Sequence, residues 1–420
     1  MKFKFIANAC GIFESASGKK ILCDPWIKDG IFEGSWCHFH PLETTLQDIQ
    51  DVDAIYVSHL HPDHFDERYF GFDKNIPIIV LEDKYQFLIK KLAKLGYDNL
   101  IRIADDQTTT LFDFKLTLFQ PFVAHNFHGD DAKIGNIIDS ALIVENNGVI
   151  AFNANDNTPT PAASEMIRQR FGHVDLAMLN YNAAGPYPAC FANLTDSEKR
   201  SEHKRILQRN FDYMLENIKK LKPKYVLPFA GAYVLGGKQS YKNPYLGTAT
   251  WDACANYLVN NLNDDAIKVI TLRENDVFDI NSGTSNRPYV TIDVDKMNQY
   301  IKSDLAQLKY DYELDDQPDL DTLKADMTLA TQRMFTRVNK IGIEPDMSVH
   351  IRVGTEMITI CDPPQNKGKL DIELDLRLLR RVFDRKANWN NAEIGCHIEF
   401  NRRPNHYSPD MHMMLQFLHL

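Results

Sequence analysis

Asp53-Ala54-Ile55-Tyr56-Val57-Ser58-His59-Leu60-His61-Pro62-Asp63-His64 runs from an apolar, β-branched and aromatic segment into three histidines and an aspartate within six positions. The apolar part has the composition of a buried strand. Imidazoles two positions apart, on a loop that curls off a strand end, can converge on one metal ion, and Asp63 and His64 turn toward a second position nearby. A lone histidine is ordinarily a surface or core residue. An H-x-H-x-D-H cluster at the end of an apolar strand is instead a ready set of nitrogen and oxygen donors, so His59, His61, Asp63 and His64 are predicted metal ligands. Asp63 and His64 are also the catalytic candidates.

Outward from this loop, short β-rich runs punctuated by turns fill the first 155 positions, at 3–7, 20–23, 54–57, 76–81, 116–119, 140–144 and 149–152. Helical periods appear at 84–95, 162–171 and 198–221, the last stopped by Pro223. Strands followed by helices in this order predict an α/β sandwich with helices outside two central sheets. The polar cluster 281–288 and the acidic stretch 311–321 mark a boundary near residue 285. Residues 1–285 then form the metal-binding catalytic domain. Residues 286–420 form a smaller α+β domain, with a helix at 320–338 and strands at 348–360, 369–376 and 393–400, packed near the metal cleft.

Composition narrows the partners. Lys and Arg number 47 against 57 Asp and Glu, a net charge of −10, and no basic block tracks a phosphate backbone, so nucleic acid is not expected. The 7 cysteines are scattered without a C-x-x-C pair and read as reduced thiols of a cytoplasmic protein. No apolar run approaches the roughly 18 residues that cross a bilayer, and the opening Met1 to Cys10, broken by Asn8, reads as a first strand. No membrane partner is expected; a small-molecule substrate is.

The H-x-H-x-D-H loop resembles the signature of the metallo-β-lactamase superfamily. That resemblance implies an αβ/βα sandwich with its metals at one edge between the sheets. It also implies a histidine after a later strand, supplied by His125 behind Phe122-Val123-Ala124 with His128 as a nearby competitor, and a metal-bridging aspartate, Asp156, at the end of the 149–155 run. The superfamily usually adds a last histidine late in the fold, where this chain has Pro228-Phe229-Ala230-Gly231-Ala232-Tyr233. The second metal position would keep Asp63, His64 and Asp156.

A narrower resemblance, to the non-Rieske part of CMP-N-acetylneuraminate hydroxylase, runs over nearly the whole chain. It is carried by Asn8-Ala9-Cys10, Cys23-Asp24-Pro25-Trp26, Gly34-Ser35-Trp36, Ile55 to His59, Pro228-Phe229-Ala230-Gly231, Ile394-Gly395 and Arg403-Pro404. It implies a hydroxylase of a small polar, nucleotide- or sugar-linked substrate, and in that family Pro-Phe-Ala-Gly replaces the missing histidine. No C-x-H accompanies the single C-x-x-H at Cys37 to His40, so no Rieske cluster is expected and electrons would come from an external donor. One or two metal ions are expected, iron first, with zinc or manganese open to the same donors. A zinc-dependent hydrolase of an ester, amide or phosphodiester is the alternative. Around the centre, Asp24 is expected to hydrogen-bond a ligand histidine, Tyr181 to line a pocket, and Lys238 and Tyr241 to meet an anionic substrate from the glycine-rich stretch 231–238, while Trp26 and Trp36 read as packing.

Overall fold

Successive residues of a strand face opposite sides of its sheet, and the core records that alternation position by position. In the computed structural model, which describes residues 1–122 and 137–420, Tyr56 packs between two sheets while its neighbour Ile55 packs toward the helix Phe87–Lys94. Leu142 and Val144 face inward in the same way, and Ile143 between them faces helices on the far side.

The first sheet has eight strands, in the order Thr284–Ser285, Val277–Asp279, Lys2–Ala7, Cys10–Glu14, Lys20–Cys23, Ala54–Tyr56, Ile78–Glu82 and Leu100–Ala104. Pairing is antiparallel as far as Lys20–Cys23 and parallel beyond it. The second sheet has seven, in the order Lys268–Val269, Tyr225–Pro228, Leu176–Leu179, Val149–Asn155, Ala141–Asn146, Phe114–Phe119 and Thr108–Leu111. Its first four are parallel and the rest antiparallel. Helices Pro161–Phe171, Asp196–Leu221 and Trp251–Asn261 cover its outer face through Ile167, Ile218 and Leu258. The layers therefore run helix, sheet, sheet, helix, as the sequence predicts.

Helix starts follow local chemistry. Thr195 and Glu198 form a reciprocal capping box at the start of Asp196–Leu221, which begins slightly earlier than its apolar period. The helix expected from position 84 begins only at Phe87, because the Asp83 carboxylate accepts the N–H groups of Tyr85 and Gln86 at 2.6 and 2.7 Å and holds a turn there.

The C-terminal part has a four-stranded sheet, Glu356–Cys361, Ser348–Val353, Lys369–Glu373 and Glu399–Arg403, with helices against it. Two expected strands are shorter than predicted. The 369–376 run stops at Glu373, and Asp375 caps the helix Leu376–Phe383. Within 393–400 the strand begins only at Glu399, because Asn388 caps a helix at Trp389–Ile394 through the N–H groups of Asn390 and Asn391. The expected 348–360 strand is a hairpin turning at Gly354, where φ is 62°. Trp26, Phe32, Trp36 and Tyr233 share one apolar cluster with Leu379, Trp389 and Phe400, so this part packs directly onto the sandwich. Trp26 and Trp36 are both core, and Trp36 stacks on Tyr233. Among the described residues no helix is long and apolar enough to cross a membrane.

Candidate metal centre

Parallel strands of both sheets end on one edge of the sandwich, and ligands of α/β proteins gather outside such carboxyl ends. Lys20–Cys23 runs into Asp24, Ala54–Tyr56 into the 58–64 loop, Val149–Asn155 into Asp156, Leu176–Leu179 into Asn180, and Tyr225–Pro228 into the 229–232 turn. Ser140 ties the two sheets together there: its hydroxyl donates to the Ser58 carbonyl at 2.8 Å, and its own carbonyl accepts from Tyr56 Oη at 3.0 Å and Asn155 Nδ2 at 2.9 Å. The neighbouring Asp139 is thereby brought against the histidine loop.

Two donor groups result, His59 with His61 and Asp139, and His59 with His64 and Asp156; within each group the ligand atoms lie within 4.8 Å of one another. His59 Nε2 stands 2.9 Å from His61 Nδ1 and 3.5 Å from Asp139 Oδ1. His64 Nε2 stands 3.3 Å from both Asp63 Oδ2 and Asp156 Oδ2. That nitrogen is buried and makes no hydrogen bond of acceptable geometry, so a ring nitrogen and two carboxylate oxygens converge without satisfying one another. This is the donor chemistry of a metal site, and the residues fit an ion of the zinc or iron class.

Supporting contacts aim the donors. Asp24 sits in the left-handed region at φ 42°, with Oδ1 accepting the Ser58 N–H at 2.8 Å and Oδ2 holding His64 Nδ1 at 3.0 Å. The Ser58 hydroxyl lies 2.9 Å from His59 Nδ1 and 3.2 Å from His64 Nδ1, which leaves the far nitrogen of each ring to the site. Asn8 Nδ2 donates to Asp63 at 3.3 Å, Asn180 Nδ2 to Asp156 at 2.9 Å, and Asn390 Nδ2 lies 3.4 Å from His61 Nε2. Asn8 is itself fixed by the N–H groups of Gly231 and Ala232, which donate to its Oδ1 at 2.5 and 3.0 Å.

Charge follows from this packing. Burial, and then the neighbouring His64 charge, pushes His59 down to about 4, and burial lowers His61 as well. Burial acts the same way on His64 but is outweighed by Asp63, Asp156 and Asp24, which hold it well above the usual histidine range. Asp156 is held below the usual carboxylate range, because His64 overcomes the opposing effect of its burial. His64 is thus the counter-charge to three carboxylates. A cation held by His64 and Asp156 would supply that positive charge in its place, with the His64 ring neutral.

The structure brings His59, His61, Asp63, His64 and Asp156 together and puts Asp24 behind His64. His125 and His128 lie outside the described residues. Tyr181 is buried among outer-layer residues such as Phe152 and Leu258. Lys238 is paired with Glu313 at 3.0 Å and Asp375 at 3.3 Å, and exposed Tyr241 reaches Glu399 at 3.5 Å. Asp139 was not expected from the sequence: it stands just before the strand Ala141–Asn146, whereas Asp156 was implied by the superfamily resemblance at the end of the 149–155 run. Asn390 had no signal in the sequence, since it lies 329 positions from the histidine it meets.

Comparison with known proteins gives a consistent setting. The family described as beta-lactamase superfamily domain matches residues 19–229, half of the 420-residue chain. The chain is 32% identical over 234 residues to an inferred Rieske 2Fe-2S iron-sulfur protein of Mycolicibacterium smegmatis, covering 55% of this chain and 43% of that protein. It is 25% identical over 241 residues to cytidine monophosphate-N-acetylneuraminic acid hydroxylase of Danio rerio, covering 54% of this chain and 38% of the hydroxylase. That resemblance covers less of the chain than the near full length its motifs led us to expect. The chain spans less than half the length of these curated relatives. Among solved structures, CmlA, a diiron beta-hydroxylase from Streptomyces venezuelae, overlays with a TM-score of 0.46 at 15% identity, covering 68% of this chain and 54% of CmlA.

Proposed function

Because the chain belongs to the beta-lactamase superfamily, we propose that this metalloenzyme is an oxygenase, an iron-dependent hydroxylase of a small polar biosynthetic substrate. The observation that carries the reading is the make-up of the donor groups: each combines two histidines with one carboxylate. Two histidines and a carboxylate with open positions are the usual ligand type of non-haem iron(II) oxygenases. His59 Nε2 can serve only one ion, so a second ion would rely on Asp63, His64 and Asp156. The 229–232 turn adds no histidine there; it holds Asn8 against Asp63 instead. The similarity to a hydroxylase supports the same reading.

Bound iron would supply the redox capacity to reduce O₂. One oxygen atom would enter a substrate C–H or N–H bond and the other leave as water, with two electrons and two protons from an external donor. The chain's own part is to keep His59 and His61 neutral through burial, to orient the carboxylates through Asn8 and Asn180, and to cover the centre with the C-terminal segment that carries Asn390.

The test compares iron-, manganese- and zinc-loaded protein incubated with cell metabolites, with and without ¹⁸O₂ and a reductant, and follows masses. A product gaining one labelled oxygen only with iron, O₂ and reductant is expected. A water-addition product formed by the zinc form without O₂ would replace this reading with that of a hydrolase acting on an ester, amide or phosphodiester.

A further inference from the structure

A cavity of about 840 Å³ opens against His61 and lies between the 183–191 segment, the helix Asp196–Leu221 and the C-terminal part. Small-molecule sites commonly enclose about 300–1,000 Å³. Asn390, which meets His61, lines it, and so does Arg402.

Arg402 is only 4% exposed. Its Nη2 donates to Asn405 Oδ1 at 2.9 Å, but Nε and Nη1 are buried with no hydrogen-bond partner. Among the described residues no carboxylate pairs with it. Its guanidinium lies over the rings of Phe191 and Tyr187, at 4.7 and 5.6 Å from their centroids. Burial lowers its proton affinity, yet an arginine keeps its charge under any ordinary condition. The acidic residues of the lining do not compensate it. Glu202 accepts from Arg205 at 2.7 Å and from Tyr187 Oη at 2.9 Å, and Glu393 accepts from Trp389 and His412, both at 3.0 Å. A buried cation without a counter-ion is unfavourable in a fold unless something brings the counter-ion.

We propose that this cavity is the substrate chamber of the metal centre and that it takes a small molecule bearing a carboxylate or phosphate, with the anionic group docked at Arg402 and the rest extending toward His61. The proposal rests on reading the histidine loop as the reacting centre, and it holds whether the reaction is oxygenation or hydrolysis. Arginine suits both anions, and the aromatic rings beneath it keep the guanidinium in place.

The test is calorimetric titration of the full-length, zinc-loaded protein without O₂, so that no turnover is involved. Matched probes separate the two anions: adenosine 5′-monophosphate against adenosine, and phenylacetate against phenylacetamide. At least one anion should bind about tenfold or more tightly than its neutral counterpart, as a charged hydrogen bond warrants. Arg402→Gln should erase that preference and Arg402→Lys keep part of it. The melting temperature of Arg402→Gln should match or exceed that of the wild type, because an uncompensated buried charge is removed. Equal binding of charged and neutral probes, no anion binding at tens of millimolar, or an unchanged preference in Arg402→Gln would overturn the proposal. So would an Arg402→Gln protein that fails to fold beside an Arg402→Lys protein that folds and binds no anion, since the arginine would then be structural. Failure here leaves the oxygen-labelling experiment unaffected.

Discussion

Asp24 is fully buried, and it holds the Ser58 backbone with one oxygen and the His64 ring with the other. Its left-handed backbone suits asparagine as well as aspartate, so Asp24→Asn removes the charge without straining the turn. The expected result is a roughly 10–100-fold loss of metal affinity, the usual cost of removing a carboxylate behind a ligand histidine. Competition with a chromogenic chelator measures it, and an unchanged affinity would strip Asp24 of its supporting role. At this scale much of the centre is legible in the chain. His59, His61, Asp63 and His64 lie within six positions of one another and advertise themselves, and Asp24 and Asp156 each directly follow a strand. Asn8 also directly follows a strand, and Asp139 stands just before one, but what each meets is decided only by the pairing of Ser140 with Ser58 and the grip of Gly231 on Asn8.

Between elements, His397 links the C-terminal part to the 31–34 turn of the sandwich. Its Nε2–H donates to the Phe32 carbonyl at 2.8 Å, and its Nδ1 lies 3.2 Å from the Tyr312 hydroxyl, an arrangement that suits the neutral ring. Burial, with a smaller contribution from Lys242 and Lys238, outweighs the Phe32 carbonyl and Glu313 and pushes it down to about 4 from 6.5. The unfolded chain therefore takes up this proton first as the pH falls. The stabilisation is fully present above about pH 6.5 and is lost as the pH drops toward 4, amounting to on the order of 3 kcal/mol. Urea denaturation of wild type and His397→Gln between pH 7.5 and 4 checks this: the variant should lose less stability across the range, and parallel curves would place the titration elsewhere. His397 lies within the 393–400 stretch where a strand was expected; the helix Trp389–Ile394 runs into the start of that stretch and the strand begins only at Glu399. The Asn388 cap explains the helix, since a side-chain oxygen that accepts two backbone N–H groups outweighs a short run of alternating residues.

Across the whole molecule, we propose that the exposed 281–288 turn is the natural boundary between the two parts. Limited proteolysis should cut there before it cuts at 311–321, because Tyr310 and Tyr312 bury the start of the acidic stretch. The two fragments should still elute together. Phe32, Trp36 and Tyr233 share their core with Leu379, Trp389 and Phe400, so a chain ending at 285 would expose that face and should aggregate. A monomeric 1–285 fragment melting like the whole chain would show instead that the parts are energetically independent.

What the chain determined by itself is whatever a few neighbouring residues encode. The alternation of Leu142, Ile143 and Val144 assigns the faces of a sheet, Thr195 and Glu198 start a helix, and the 59–64 cluster announces a metal. Such signals are periodic or dense, so they survive without knowledge of the fold. Tertiary structure alone decided that Asp139 would face His59, that Asn390 would meet His61 across 329 positions, and that Arg402 would be buried without a carboxylate beside the same cavity. A solitary polar residue has no period and no dense neighbours. Its partner is chosen only when sheets and helices close over one another, and by then the cost of burying its charge has already been met by the rest of the core.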